Sequence, residues 1–158
     1  MTRKILIAVD GSKHCERALE WYASNMRNSE DQLIFAYVVE PPPVTMGAGF
    51  ASAVSADLYA NSVNEAIQAG KRLASQTKEK CETLGLQNHT RFLERMTSGA
   101  GPAIVEIANE EDVSLIVMGN RGMGTLRRTF LGSVSDYVLH HAHRPTIIVP
   151  PAKPAGAS

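Results

Sequence analysis

Residues 3–26 read RKILIAVDGSKHCERALEWYASNM, and two different periodicities meet inside this stretch. From Arg3 to Val9 the chain is almost continuously apolar, the pattern of a strand buried on both faces. After Ser12, a hydroxyl residue suited to cap a helix, Cys15, Ala18, Leu19, Tyr22 and Met26 recur at intervals of three and four. That spacing is the stripe of a helix packed along one side. A strand that turns through Asp10, Gly11 and Ser12 straight into a helix is the opening of a parallel α/β unit.

The alternation continues outward. Gln32 to Val39 (QLIFAYVV), Ser114 to Met118 (SLIVM) and Thr146 to Val149 (TIIV) are further short apolar runs. His89 to Met96 mixes Phe92 with Arg91, Glu94 and Arg95, as a strand nearer a sheet edge would. Between the runs, Val63, Ile67, Gly70, Leu73, Thr77, Cys81 and Leu84 keep helical spacing, with Gly85 as a stop and Leu86 as its hydrophobic contact. Ile104, Ile107 and Ala108 follow Pro102, expected at the first helical position. A last stripe runs through Phe130, Val134, Tyr137, Val138 and His141. Five strands and four helices in alternation predict one three-layer α/β domain over residues 1–150. Its core is an open, mainly parallel five-stranded sheet with helices on both faces.

Two segments stand outside this pattern. Glu40 to Ser55 (EPPPVTMGAGFASAVS) opens with three prolines and reads as a loop, either a lid or a surface insertion. Residues 151–158 (PAKPAGAS) read as a disordered tail.

Composition excludes several classes. The 158 residues carry 16 Lys plus Arg and 16 Asp plus Glu, so no net charge marks a nucleic-acid or membrane partner. A chain of this length buries roughly 70% of its unfolded surface and needs neither disulfides nor a structural metal. The two cysteines, Cys15 and Cys81, fall on apolar stripes and read as reduced packing thiols. No apolar run approaches a membrane span or the core of a signal peptide, which makes the cytoplasm the expected location.

In an open parallel sheet, ligands bind beyond the carboxyl ends of the strands. Asp10 follows the first strand and GNRGMGT, Gly119 to Thr125, follows the fourth. Gly119, Gly122 and Gly124 leave their amides uncovered, and Gly132 and Ser133 then open a helix whose amino end favours an anion. From Gly119 to Asp136 there are three arginines (Arg121, Arg127, Arg128) and one aspartate, a local balance of plus two. These features describe a phosphate site. The same residues also read as a glycine-rich loop and a helix capped by Ser133 with Asp136. A P-loop is excluded because Thr125 and Leu126 follow Gly124, and the dinucleotide fingerprint because Arg127 stands where its third glycine belongs.

Gly119, two residues, Gly122, nine residues, then Gly132 and Ser133 resembles the ATP-binding signature of the universal stress protein family. ILIAVDGS (Ile5 to Ser12), LIVMGNRGMG (Leu115 to Gly124) and LGSVSDYVLHHAHRPTIIVP (Leu131 to Pro150) resemble family segments in the expected order. The resemblance implies a flavodoxin-like or Rossmann-like sheet, of the adenine-nucleotide α-hydrolase type, with the first and fourth strands central. It implies ATP over the carboxyl edge, with Asp10 at the nucleoside and the backbone of Val39 at the adenine. Gly119, Arg121, Gly122, Gly132, Ser133 and Val134 would meet the ribose and phosphates, and Mg²⁺ would be held mainly by the phosphates. It further implies a homodimer that covers the short last strand, Thr146 to Val149, which Pro145 and Pro150 bracket.

No residue is a distinctive nucleophile or base, so the expectation is a regulatory nucleotide-binding protein of the stress response, not an enzyme, with at most slow ATP hydrolysis. Asp10 reads either as a residue that holds Mg²⁺ or orients water, or as an acceptor for loop amides. His140, His141 and His143 are spaced poorly for a shared metal and fit the last turn of a helix; His14 and His89 read as surface residues. Two other functions remain open: a dimeric protein-interaction module with a vestigial site, and a slow ATP hydrolase or nucleotidyl-transfer enzyme.

Overall fold

Along β1 (Lys4–Val9), Ile5, Ile7 and Val9 face one side while Leu6 and Ala8 face the other. Both sides are covered, which is why this strand shows no polar alternation. The computed structural model describes residues 2–41, 50–120 and 132–153. After β1 come α1 (Lys13–Asn25), β2 (Gln32–Val39), α2 (Phe50–Thr83), β3 (His89–Met96), α3 (Ala100–Glu110), β4 (Leu115–Gly119), α4 (Ser133–His141) and β5 (Thr146–Val149).

The five strands form one sheet in the order β3-β2-β1-β4-β5, and every pairing is parallel. The chain winds outward from β1 to β3 and then returns to the other side of β1. That is the Rossmann-like of the two orders the resemblance leaves open, with its switch between β1 and β4. α1 and α2 supply Cys15, Leu19, Tyr22, Leu73 and Cys81 to the core on one face. α3 and α4 supply Ile104, Ile107 and Val138 to the core on the other, joined by Ala142, the C-cap of α4. The three-layer α/β architecture expected from the alternation is therefore present, with β3 and β5 at the edges.

Several local expectations are corrected. Residues 50–55, included in the loop read from the prolines, belong to α2, which runs for 34 residues. Proline and glycine explain only where β2 must end; Ala, Ser and Val after Phe50 have no barrier to helix. Residues 42–49 lie outside the described residues, as does the end of the tail from 154. Pro102 is the third helical residue, not the first, because Gly99 is the cap. First-turn amides have no partner within the helix, so proline costs nothing there. Ser133 is not a cap: Gly132 holds that position, and Ser133 is the first helical residue. His141 is exposed, stacked on Tyr137 with ring centroids 4.0 Å apart, although its spacing suggested an inward face. Phe130 lies outside the described residues.

Other boundaries follow the sequence closely. Ser12 accepts a hydrogen bond from the Cys15 amide and caps α1. α2 closes at Gly85, with the Leu86 amide donating to the Cys81 carbonyl at 2.8 Å.

At the amino ends of the strands lies a buried polar cluster. The Asp31 carboxylate accepts from Arg3 Nε at 2.8 Å, Arg3 Nη2 at 2.7 Å and the Tyr22 hydroxyl at 2.6 Å. Burial and this carboxylate both raise the Tyr22 pKa. Cys15 and Cys81 are buried and free, and burial raises both thiols, Cys81 to about 11.

A pH dependence follows from these shifts. Above about pH 8.5 the unfolded chain loses its thiol protons while the folded chain keeps them, so stability is full below that pH and falls as pH rises toward 11. Denaturant midpoints measured from pH 7 to 11 should show this fall, and Cys81→Ala should lessen it, leaving the part due to Cys15. A midpoint that does not move over that range would contradict the assignment.

Candidate functional site

The sequence turns at the end of β1 because Gly11 adopts a φ of +83°, which side chains with a Cβ rarely tolerate. The Asp10 carboxylate accepts the Ser12 amide at 2.9 Å across this turn, the short-range bond typical of an Asp turn. This is the loop-acceptor role that the sequence left as one of two readings for Asp10. Ile7 pairs with Val117, and extending that register sets Val9 level with Gly119 and Asp10 level with Asn120. On the other side Val9 pairs with Tyr37, so Val39 lies just beyond Asp10 at the end of β2. Asp10, Val39 and Gly119 therefore occupy the carboxyl ends of three adjacent strands, beside the β1–β4 switch.

Gly119 has its own structural reason. A Cβ at this position would stand 2.8 Å from the His14 carbonyl oxygen of α1. That oxygen is backbone and cannot turn away, so the first turn of α1 can cross the end of β4 only over glycine. His14, read as a lone surface histidine, is half-buried at this crossing.

α4 begins at the same edge. Gly132 takes an extended conformation, φ −61° and ψ 153°, and no described side chain caps the helix. Its carbonyl receives the first helical bond, from the Asp136 amide at 2.9 Å. The Gly132 amide is directed backward, to the Asn120 carbonyl at 2.9 Å and to Asn120 Oδ1 at 3.3 Å. The anion-favouring amides that remain are those of the helical residues from Ser133 and Val134 onward. Val39 offers less than a free backbone, because its carbonyl already accepts the Thr97 amide at 3.0 Å; a carbonyl's second lone pair remains. Arg121 and Gly122 lie outside the described residues, as do Gly124, Arg127 and Arg128.

Two residues at this edge were not singled out from the sequence. Asn120 donates its amide to the Val149 carbonyl at 3.0 Å, besides accepting the Gly132 amide. Ser135 is buried, with its hydroxyl 3.2 Å from the Asn120 carbonyl and 3.0 Å from the Gly132 carbonyl. A serine two positions into a helix carries no sign of which way its hydroxyl points, and asparagine after glycine reads as a turn.

The model of the universal stress protein family matches residues 1–150. The chain belongs to the universal stress protein family. A family member from Methanocaldococcus jannaschii is 32% identical over 148 residues, covering 93% of this chain and 81% of its own length. One from Thermus aquaticus is 31% identical over 150 residues, covering 94% and 99%. A relative from Mycobacterium tuberculosis is 30% identical, and there the chain spans 51% of the relative.

Solved structures share the fold. A universal stress protein in complex with cAMP is 22% identical with a TM-score of 0.61, covering 93% of this chain and 95% of its own. A family protein from Arabidopsis thaliana with AMP bound is 17% identical, TM-score 0.61, covering 98% and 97%. The protein from Archaeoglobus fulgidus in complex with dAMP is 21% identical, TM-score 0.58, covering 94% and 98%. Among the described residues, no group of three or more His, Cys, Asp or Glu side chains could hold a metal, and no helix is long and apolar enough to cross a membrane.

Proposed function

We propose that this family member binds an adenine nucleotide, with ATP as the physiological ligand, across the carboxyl ends of β2, β1 and β4. The observation that carries the reading is the placement of the amino end of α4, which no described side chain caps, at the edge where Asp10 and Gly119 also stand. A helix start without a side-chain cap is a ready anion site, and the strand ends beside it suit a nucleoside. The solved relatives holding AMP, dAMP and cAMP support an adenine nucleotide.

In this reading Asp10 meets the nucleoside and Val39 the adenine. Gly119, Arg121, Gly122, Gly132, Ser133 and Val134 line the ribose and phosphates, with Mg²⁺ held mainly by ATP itself. The nucleotide acts as a regulatory ligand with at most slow hydrolysis, in a cytoplasmic stress-response protein. The protein pairs as a homodimer through the outer edge of β5, whose one strand partner among the described residues is β4.

Denaturing the purified protein should release an adenine nucleotide, and titrating ATP with Mg²⁺ into stripped protein should show saturable binding. No released nucleotide together with no binding at millimolar ATP would end the proposal. A second reading, a protein-interaction module, is favoured by the exposed apolar residues Leu58, Tyr59 and Ile67 on α2. An unchanged set of bound partners with and without ATP would favour it.

A further inference from the structure

From the hydrogen bonds where β4, β5 and α4 meet, we infer that Asn120 and Ser135 are positioning residues for the phosphate of the bound nucleotide. The inference rests on the nucleotide reading above. Neither residue belongs to the glycine signature, and neither offers its bonded groups outward to a ligand.

Asn120 joins three elements. Its amide is tied to Val149 of β5, its own carbonyl extends β4, and both its oxygens receive the amide of Gly132, the cap of α4. Gly132 has no side chain to hold it in the cap position, so its orientation depends on these backbone partners. Ser135 adds a second tie from inside the helix. Its hydroxyl lies within bonding distance of the carbonyls of Asn120 and Gly132 together, and its one proton is shared between them. Ser135 is 2% exposed, so water does not compete for that proton.

The result is a clasp that turns the Gly132 amide back toward β4, while the amides that follow in the first turn of α4 have no partner within the helix. The attraction of a helix start for an anion falls away within about one turn, so the angle at which α4 leaves Gly132 decides whether a phosphate meets those amides. A clasp that sets this angle affects recognition of the phosphate and not of the nucleoside, which lies over β1 and β2.

The test compares AMP with adenosine, two ligands that differ by the phosphate. Calorimetric titration of the full chain should show wild-type protein preferring AMP. Ser135→Ala should reduce the AMP-to-adenosine affinity ratio by about tenfold, and Asn120→Ala, which removes only the Oδ1 contact at 3.3 Å and keeps the backbone bonds, should reduce it by less, with adenosine binding unchanged in both. Ser135→Thr, which keeps the hydroxyl, should retain the ratio. The two alanine variants guard against one of them failing to fold, which the unfolding midpoint reveals.

An unchanged ratio in the folded alanine variants overturns the assignment. So does an equal loss for both ligands, which is what general loosening of the edge would give. If wild-type protein binds neither ligand, the nucleotide reading itself falls; a binding wild type with unaffected variants overturns only the positioning roles.

Discussion

Saturating the protein with ATP at about 100 times its dissociation constant should raise its unfolding free energy by roughly 2.7 kcal/mol, and Gly132→Asp should abolish this gain. Gly132 is the N-cap of α4 with an extended backbone of negative φ, a conformation open to any residue. An aspartate there can accept amides of its own first turn, and aspartate caps a helix better than glycine by a few tenths of a kcal/mol. The unliganded variant should therefore be at least as stable as the wild type. The same carboxylate occupies the amino end of α4 and repels a phosphate. Chemical denaturation with and without ATP separates the two effects, since one substitution moves them in opposite directions. A variant that keeps the full gain would show that the phosphates do not meet α4.

The second large effect lies at the opposite end of the strands. Asp31→Ala should cost about 2–4 kcal/mol and leave nucleotide affinity unchanged. Asp31 is 1% exposed and receives three side-chain hydrogen bonds, from Arg3 twice and from Tyr22. Without the carboxylate, the buried Tyr22 hydroxyl loses its acceptor. Arg3 is 39% exposed and can swing toward water, which holds the cost below that of stranding a fully buried charge. For a domain of this size each kcal/mol corresponds to about 2–4 °C in melting temperature. Tyr22→Phe should cost less, about 1–2 kcal/mol, because Arg3 still satisfies Asp31. A melting temperature unchanged in Asp31→Ala would show that the cluster contributes nothing net.

Much of the architecture was legible because burial on two faces leaves a plain trace. The runs at Ile5, Leu33 and Ile116 have no polar alternation, and each is a strand covered by helices on both sides. The strand order was less visible: nothing in the residues alone says that β1 pairs with β4, and only the resemblance implied it. The loop read from Glu40 to Ser55 extended too far because prolines mark where a strand ends and say nothing about where a helix resumes.

At the site, strand-end positions such as Asp10 and Gly119 follow from the alternation. The direction of a hydroxyl or an amide does not. Ser133 and Ser135 look equivalent in sequence, yet Ser133 is exposed while Ser135 is buried. The difference arises from about one hundred degrees of helical turn per residue and from where α4 meets β4, which no local spacing encodes.

The crossing of α1 over Gly119 gives the first glycine of the signature a reason to be there that is independent of any ligand. With the His14 carbonyl 2.8 Å from any Cβ at that position, this glycine serves the framework whether or not a nucleotide ever arrives. A related chain with no ligand at all would have to keep it or rebuild the packing of its first helix. The first glycine is therefore a poor marker of a working site, and a degenerate relative is better judged by the residues at the start of its last helix.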